Sequence, residues 1–313
     1  MLSSWKFWLG LLLLLGLVWV VEQNFGWLAV LAAWQAIPPT SLALAVGLML
    51  LSYWLRALRF FDFFHHYCQG QFPRLLHITV VHNFFNNLLP MRSGESAFPL
   101  LMKRHFQLPY RHSVPALLWL RLLDLYALLA LAAVSLQSLL PLDAHWRFAL
   151  SALLIIAPLL VLPLQNALAH WLQRHPSNWS DKVVELLHAL PKSPWPFTRA
   201  LLWTLLNWSL KLAVFAWLLG QFLPIPYHQA WIGATSGELS SVLPIHGVAG
   251  AGTYEAGVLA GLLPWGINRI DALAAAVNLH LFVLGCTFAL TGLFVAALRP
   301  WLSRTGNTHA THH

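Results

Sequence analysis

The sequence predicts an all-α integral membrane protein with about six spanning helices plus two re-entrant broken hairpins, arranged as an inverted-topology repeat. Three observations predict it. The 313 residues are 58% hydrophobic and 9% charged, whereas a soluble domain carries roughly 25% charged residues. Several apolar runs reach the roughly 20 residues needed to cross a bilayer. Finally, two interrupted segments echo each other: Asn86-Asn87-Leu88-Leu89-Pro90-Met91-Arg92-Ser93-Gly94-Glu95, and Ser240-Ser241-Val242-Leu243-Pro244-Ile245-His246-Gly247 running on to Glu255. Each reads polar pair, aliphatic, Leu-Pro, aliphatic, basic or His, glycine, and later glutamate.

Taken in order, a first helix spans Trp5 to Val21. No small-x-small cleavage site follows it, so it is read as a retained helix rather than a signal peptide. A short apolar piece, Trp27 to Ile37, is closed by Pro38-Pro39 and suits the interface. The second helix runs from Ser41 to Phe64. Leu75 to Met102 is basic on both flanks, Arg74 before it and Lys103, Arg104 and Arg111 after it. A single crossing would export one basic flank, against the positive-inside rule. A re-entrant hairpin broken at Pro90 and Gly94 does not, since proline removes a helix donor and clashes with the preceding turn. Crossings follow at Val114 to Leu140 and Phe148 to Leu164, then a polar stretch, Gln165 to Arg199, with a surface helix at Asp181 to Leu190. A fifth crossing spans Ala200 to Leu223. Gln229 to Leu263, charge-poor at both ends and broken at Pro244 to Gly252, is the second hairpin. The last crossing is Ala272 to Leu298, and 305–313 reads as a disordered tail.

Repeat one covers 1–140 and repeat two 148–298 of a single transmembrane domain. Helix, helix, hairpin, helix occurs twice, starting inside and then outside. Of the 18 Lys and Arg, two (Arg147 and Arg269) fall outside and five (Arg56, Arg59, Arg92, Arg121 and Lys211) within or at the edge of the membrane. The remainder are cytoplasmic, which places both termini there. The formal charge of +8 is therefore topology information, and no aromatic-interleaved basic run suggests nucleic acid. Seventeen tryptophans suit aromatic belts.

A charge in the bilayer core costs about 2.5–3.5 kcal/mol on insertion scales, so each is a functional candidate. Arg92 lies just past the first break, where guanidinium and freed backbone N–H groups together suit a phosphate. Arg121 and Asp124, three apart, share a helix face. Gly247, Gly250 and Gly252 permit an anion-binding backbone nest, with close helix packing as the alternative. The G-x-x-G-x-G spacing is not a dinucleotide fingerprint, since no strand precedes it. Glu95 and Glu255 follow the two breaks and suit charge balance or proton uptake. Lys211 and Glu238 are further intramembrane charges, and His246 and His280 suit hydrogen-bonded packing roles. Arg56 and Arg59 stand near the cytoplasmic interface, where they snorkel or draw in anionic headgroups. Cys68 and Cys286 match neither a disulfide framework nor a metal site. No G-x-S-x-G or H-E-x-x-H occurs, and Gly233-Ala234-Thr235-Ser236-Gly237 has its serine one place off for a nucleophile elbow. Neither a cofactor nor a catalytic residue is expected.

Arg56-x-x-Arg59, Asn87-x-x-Pro90-x-Arg92-x-Gly94-Glu95, Arg121-x-x-Asp124 and Leu243-Pro244 leading to a glycine cluster and Glu255 resemble the transmembrane region of lysylphosphatidylglycerol synthases, the flippase part of the multiple peptide resistance factor. The resemblance covers essentially the whole chain. It implies movement of phospholipid, or of lipid-linked headgroups, between leaflets of the bacterial inner membrane. No soluble aminoacyl-transferring domain follows, so the synthase activity is not carried over. The second hairpin is richer in glycine than the family pattern and lacks an arginine before Glu255. The expected assignment is a non-enzymatic lipid flippase with a phosphate-bearing membrane lipid as partner and self-association left open. Substrate contacts fall to Arg92, Arg121, Arg56, Arg59, Asn87, Gly247, Gly250 and Gly252, and charge balance or gating to Glu95, Asp124, Glu255 and Lys211. The alternatives are a membrane enzyme acting on a lipid carrier and a non-catalytic partner of a lipid or glycan synthase.

Overall fold

The computed structural model describes residues 5–307 apart from 69, 138–139, 176, 178, 189–193 and 243–246. The described residues form helices and no strand. In order these are α1 (Trp5–Asn24), α2 (Trp27–Ala32), α3 (Pro39–Phe63), α4 (His65–Cys68), α5 (Phe72–Leu88), α6 (Ala97–Phe106), α7 (Tyr110–Leu136), α8 (Ala144–Ile156), α9 (Val161–Arg174), α10 (Ser180–His188), α11 (Pro194–Phe222), α12 (Tyr227–Val242), α13 (Thr253–Leu262) and α14 (Arg269–Asn307).

Four helices are long and apolar enough to cross a membrane, namely α3, α7, α11 and the Arg269–Leu298 part of α14. The helical pair Trp8–Asn24 and Trp27–Ala36 is bent by 84° and qualifies only when taken together. Gly26, at φ 77° between the two pieces, supplies the bend. The fourth predicted crossing is a shorter apolar helix, Ala144–Leu160, whose last turn is 3-10 before α9 begins. The last helix continues through Asn307, so 305–307 are helical rather than tail, and 308–313 lie outside the described residues.

Both predicted interruptions are present. Between α5 and α6 the chain tightens into a 3-10 helix, Pro90–Ser96. Pro90 opens it, where its missing N–H costs nothing. Between α12 and α13 a short 3-10 turn, Val248–Gly250, contains Ala249 at φ 53° and is followed by Gly250 and Gly252, both at φ 80°. Leu243, Pro244 and His246 of the second motif lie outside the described residues. The two breaks touch each other, and α1 packs across both of them.

Contacts pair off between the halves. α3 packs on α5 as α11 packs on α12, α5 on α14 as α12 on α7, and α6 on α7 as α13 on α14. α3 and α11 pack on each other at the centre. The apolar core has two main clusters. One joins Met49, Phe215, Leu219, Tyr254 and Leu279; the other joins Phe60, Phe64, Phe98, Trp119 and Phe197. Along α11 the first begins at Val214 and the second ends at Leu201. Between them α11 carries the polar residues Thr204, Asn207 and Lys211, alongside Trp208 and Leu212, which form a smaller apolar cluster with Ala127 and Leu128. A band of polar side chains thus separates two apolar layers.

Candidate functional site

That polar band lies near the middle of the spanning helices. Asp124 is 14 residues into the 27-residue α7, about 20 Å along a helix of about 40 Å at 1.5 Å per residue. Water cannot satisfy polar groups at that depth, so each must find protein partners or line a cavity.

Asp124 is the hub. Its Oδ1 accepts from Arg59 Nη1 at 2.5 Å and from Trp208 Nε1 at 2.9 Å; its Oδ2 accepts from Arg59 Nη2 and Arg121 Nη1, both at 3.2 Å. Arg59 also donates to Thr204 Oγ1 at 2.9 Å. Arg121 continues the chain, its Nε 3.0 Å from Glu95 Oε1 and its Nη2 donating to His82 Nε2 at 3.0 Å. Arg59 and Asp124 are 2% and 1% exposed, Arg121 and Glu95 14% and 26%, so two guanidinium groups and two carboxylates form one lattice, buried at Asp124 and more open at Glu95. It ties α3, α5, α7, α11 and the first break together. Gly94 makes that possible locally, since a Cβ there would collide with the backbone of Phe85 and Asn86.

Arg56, one turn from Arg59, is in a different position. It is 8% exposed, and it donates to Asn83 Oδ1 at 2.5 Å. No carboxylate among the described residues lies within ion-pair distance of it. Asn83 in turn donates to Tyr53 Oη at 2.8 Å, and Asn87 donates to Thr287 Oγ1 at 2.9 Å. Arg56, Ser52, Tyr53, Asn83, Asn87 and Lys211 line a cavity of about 10 Å³. Lys211 is paired with Glu238 at 2.8 Å and lies over the Trp208 and Phe215 rings.

A second cavity of about 30 Å³ shares Asn87 and Lys211 with the first and adds Glu238, Ser241, Tyr254 and His280. Here Glu255 Oε1 accepts from His280 Nδ1 at 2.7 Å, and Glu255 Oε2 accepts from Gly252 N at 2.8 Å. Gly250 N is bonded to Gly247 O, and Gly247 N points to Thr253 Oγ1 at 3.5 Å. The three glycine N–H groups expected to form an anion nest are thus each taken up within the chain, and only that of Gly252 meets a carboxylate, in the capping box that Glu255 makes at the start of α13. Cavities of this size admit about one water and exclude a phosphate. On the outer face of the α3–α11 seam lies a larger groove of about 270 Å³ with an apolar lining that includes Leu44, Leu48, Leu210 and Trp217.

Of the predicted residues, Arg59, Arg121, Asp124 and Glu95 form one network, Arg56, Asn87 and Lys211 meet at a cavity, and Glu255 and the glycines meet at the second break. Arg92 lies on the 3-10 segment of the first break; its side chain is outside the described atoms, as is His246. His280 is buried and hydrogen-bonded to Glu255. His82, Asn83, Tyr53, Thr204, Trp208 and Thr287 were not anticipated. A signal for some existed, since His82, Asn83, Asn86 and Asn87 put four polar residues on two adjacent faces of a helix meant for hydrocarbon.

The model of the lysylphosphatidylglycerol synthase TM region matches residues 7–291. The chain belongs to this family. The match runs from within α1 to within α14, and so spans both breaks and the polar band. No curated protein is matched by the chain. As a lysylphosphatidylglycerol synthase TM-region protein it is a multi-pass membrane protein tied to membrane lipid.

Proposed function

We propose that this protein is a flippase of the bacterial inner membrane, moving a phosphate-bearing lipid between leaflets without chemical change. The observation that carries this reading is Arg56. A guanidinium buried at mid-depth without a carboxylate is costly unless an anion visits it. It lines a cavity where the two halves of the chain meet, and guanidinium matches phosphate geometry. Arg121, Arg59 and Arg92 supply further positive potential, and Asn87 lines both cavities. The acyl tails stay in hydrocarbon beside the α3–α11 seam.

Paired packing between the halves, together with the charge asymmetry of the loops, supports an inverted repeat with two re-entrant hairpins and cytoplasmic termini. In such folds, transport comes from rocking one repeat against the other around a midplane site. Cavities that admit only water belong to an occluded arrangement. Opening either side requires the contact between the two breaks to part.

The test uses full-length protein in vesicles with a fluorescent anionic phospholipid. Arg56→Gln and Arg92→Ala are each expected to slow flipping at least about tenfold, equivalent to roughly 1.4 kcal/mol of lost interaction, while the protein stays folded in detergent. Flipping at the wild-type rate by both variants overturns the assignment.

A further inference from the structure

Two side-chain pairs in the polar band are counterparts of each other. Arg56 of α3 donates to Asn83 of α5, and Lys211 of α11 donates to Glu238 of α12; each bond spans 27 positions. Ser52 Oγ donates to Asn207 Oδ1 at 2.8 Å across 155 positions. The step that carries Ser52 to Asn207 also carries Arg56 to Lys211 and Asn83 to Glu238. A residue that touches its own counterpart lies on the axis relating the two halves. α3 and α11 run antiparallel there, since Ser52, Arg59 and Asp62 meet Asn207, Thr204 and Arg199 in descending order. Arg56 and Lys211 each stand one turn beyond the axial pair, about 6 Å along the helix. Because the helices are antiparallel, they stand on opposite sides of it.

Resting on the flippase reading, we infer that Lys211 is a second phosphate-binding residue, the counterpart of Arg56 across the midplane, and that Glu238 is the partner it gives up when the lipid phosphate arrives. Lys211 already lines the Arg56 cavity, whose described lining holds these two cations and no carboxylate. It also lines the second cavity, which Arg56 does not reach. At the axial level between the two cations, Asn207 Nδ2 is buried with no hydrogen-bond partner among the described residues. A buried donor left over is uncompensated, and this one stands at the depth that a phosphate in transit crosses.

The two positions hold a phosphate with unequal strength. Arg56 is bonded to a neutral amide, so a phosphate displaces no carboxylate from it. Lys211 must leave Glu238, whose side chain is 4% exposed, and stripping a buried carboxylate of its cation is costly. The Lys211 position is therefore the weaker of the two. Its ammonium also binds phosphate as a point charge, without the fork that lets guanidinium hold two oxygens. Under the proposed sidedness Arg56 lies towards the cytoplasm, on the side of Asp62 and Arg199, and Lys211 towards the outer face. A lipid then meets a firm site first and a loose one last, from which it leaves for the outer leaflet. A purely structural Lys211–Glu238 pair is the competing account, and exchanging the two charges separates them.

The experiment measures flipping by the full-length protein in vesicles containing NBD-labelled phosphatidylglycerol, and binding of short-chain phosphatidylglycerol in detergent. Glu238→Gln removes the competitor and should bind the short-chain lipid about tenfold more tightly than wild type, whereas Lys211→Gln should bind it less tightly and flip about tenfold more slowly. Lys211→Arg keeps the charge and should keep flipping. Lys211→Glu combined with Glu238→Lys restores the ion pair but puts a carboxylate beside Arg56, so its melting temperature should recover while flipping stays as slow as in Lys211→Gln. Wild-type flipping by the exchanged pair, or weaker binding by Glu238→Gln, overturns the role of Lys211 and leaves the flippase reading standing on Arg56. Where the exchanged pair does not fold, the sign of the binding change in Glu238→Gln decides alone. Inorganic phosphate in excess should not displace the lipid; displacement marks a site for a soluble anion and overturns the lipid as its ligand. Wild type that does not flip the labelled lipid removes both readings.

Discussion

Asp124 and Arg56 sit at similar depth and have opposite prospects on substitution. Asp124 neutralises two guanidinium groups and accepts the Trp208 indole. Asp124→Asn leaves Arg121 with Glu95 alone and Arg59 with no carboxylate among the described residues, and removing one partner of a buried pair costs about 3–5 kcal/mol. The expected result is a large drop in melting temperature in detergent, read by loss of monodisperse protein after heating, whatever the transport assay gives. Arg56→Gln removes a charge that has no carboxylate within ion-pair distance among the described residues, so its melting temperature should hold or rise while flipping falls. A loss of stability in Arg56→Gln as large as in Asp124→Asn would show that Arg56 is structural. The Arg121–Asp124 pair could be read from spacing, because residues three apart on a helix share a face. The partner of Arg59 could not, because Asp124 lies 65 positions away in sequence and only the fold brings the Arg59 side chain of α3 within reach of α7. Arg56 and Arg59 were placed near the interface for the same reason. A run of apolar residues fixes where a helix is, not how deep each turn sits.

The second hairpin depends on glycines that no binding motif marks. A Cβ on Gly257 would come within 2.7 Å of Ser236 O and Ser240 Cβ, and one on Gly261 within 2.9 Å of Ile232 O. On the facing helix, Gly233 and Gly237 are closed off by Leu262 and Val258. Small residues at these four places let α12 and α13 run nearly backbone to backbone, the way close helix pairs form in lipid. Gly257→Val should splay the pair and move the second break. The expected outcome is lower thermal stability together with faster proteolysis around α12–α13, whereas Gly220→Val, with open space at the Cβ position, should leave both unchanged. Equal behaviour of the two variants counts against the close-packed hairpin. Both breaks were legible because proline and glycine punctuate otherwise apolar runs. Their conformations were not. The first tightens into a 3-10 helix, and the second closes with Glu255 capping the Gly252 N–H at the start of α13.

Across the whole molecule, composition determined the membrane class and the loop charges the proposed sidedness, while the number of crossings stayed coarse. The reason is physical: α8 is apolar but short, and the 84° bend after Asn24 divides one hydrophobic stretch into two directions. Sidedness is open to a direct measurement, and the protein's own thiols make it clean. Cys68 is fully buried, and burial pushes its thiol up to about 12, leaving almost no reactive thiolate at neutral pH. Cys286 is 4% exposed inside the apolar core. A membrane-impermeant maleimide should therefore leave the wild-type protein unlabelled in intact cells, with no need to remove either cysteine. On that background Asp143→Cys and Asn268→Cys, in the loops before α8 and α14, should react from outside. Gln173→Cys, exposed near the end of α9, should react only after the membrane is permeabilised. If positions 143 and 173 label from the same face, the stretch from α8 to α9 does not cross, the second half starts on the same side as the first, and the inverted relation between the halves is lost, leaving the two breaks to enter from one leaflet.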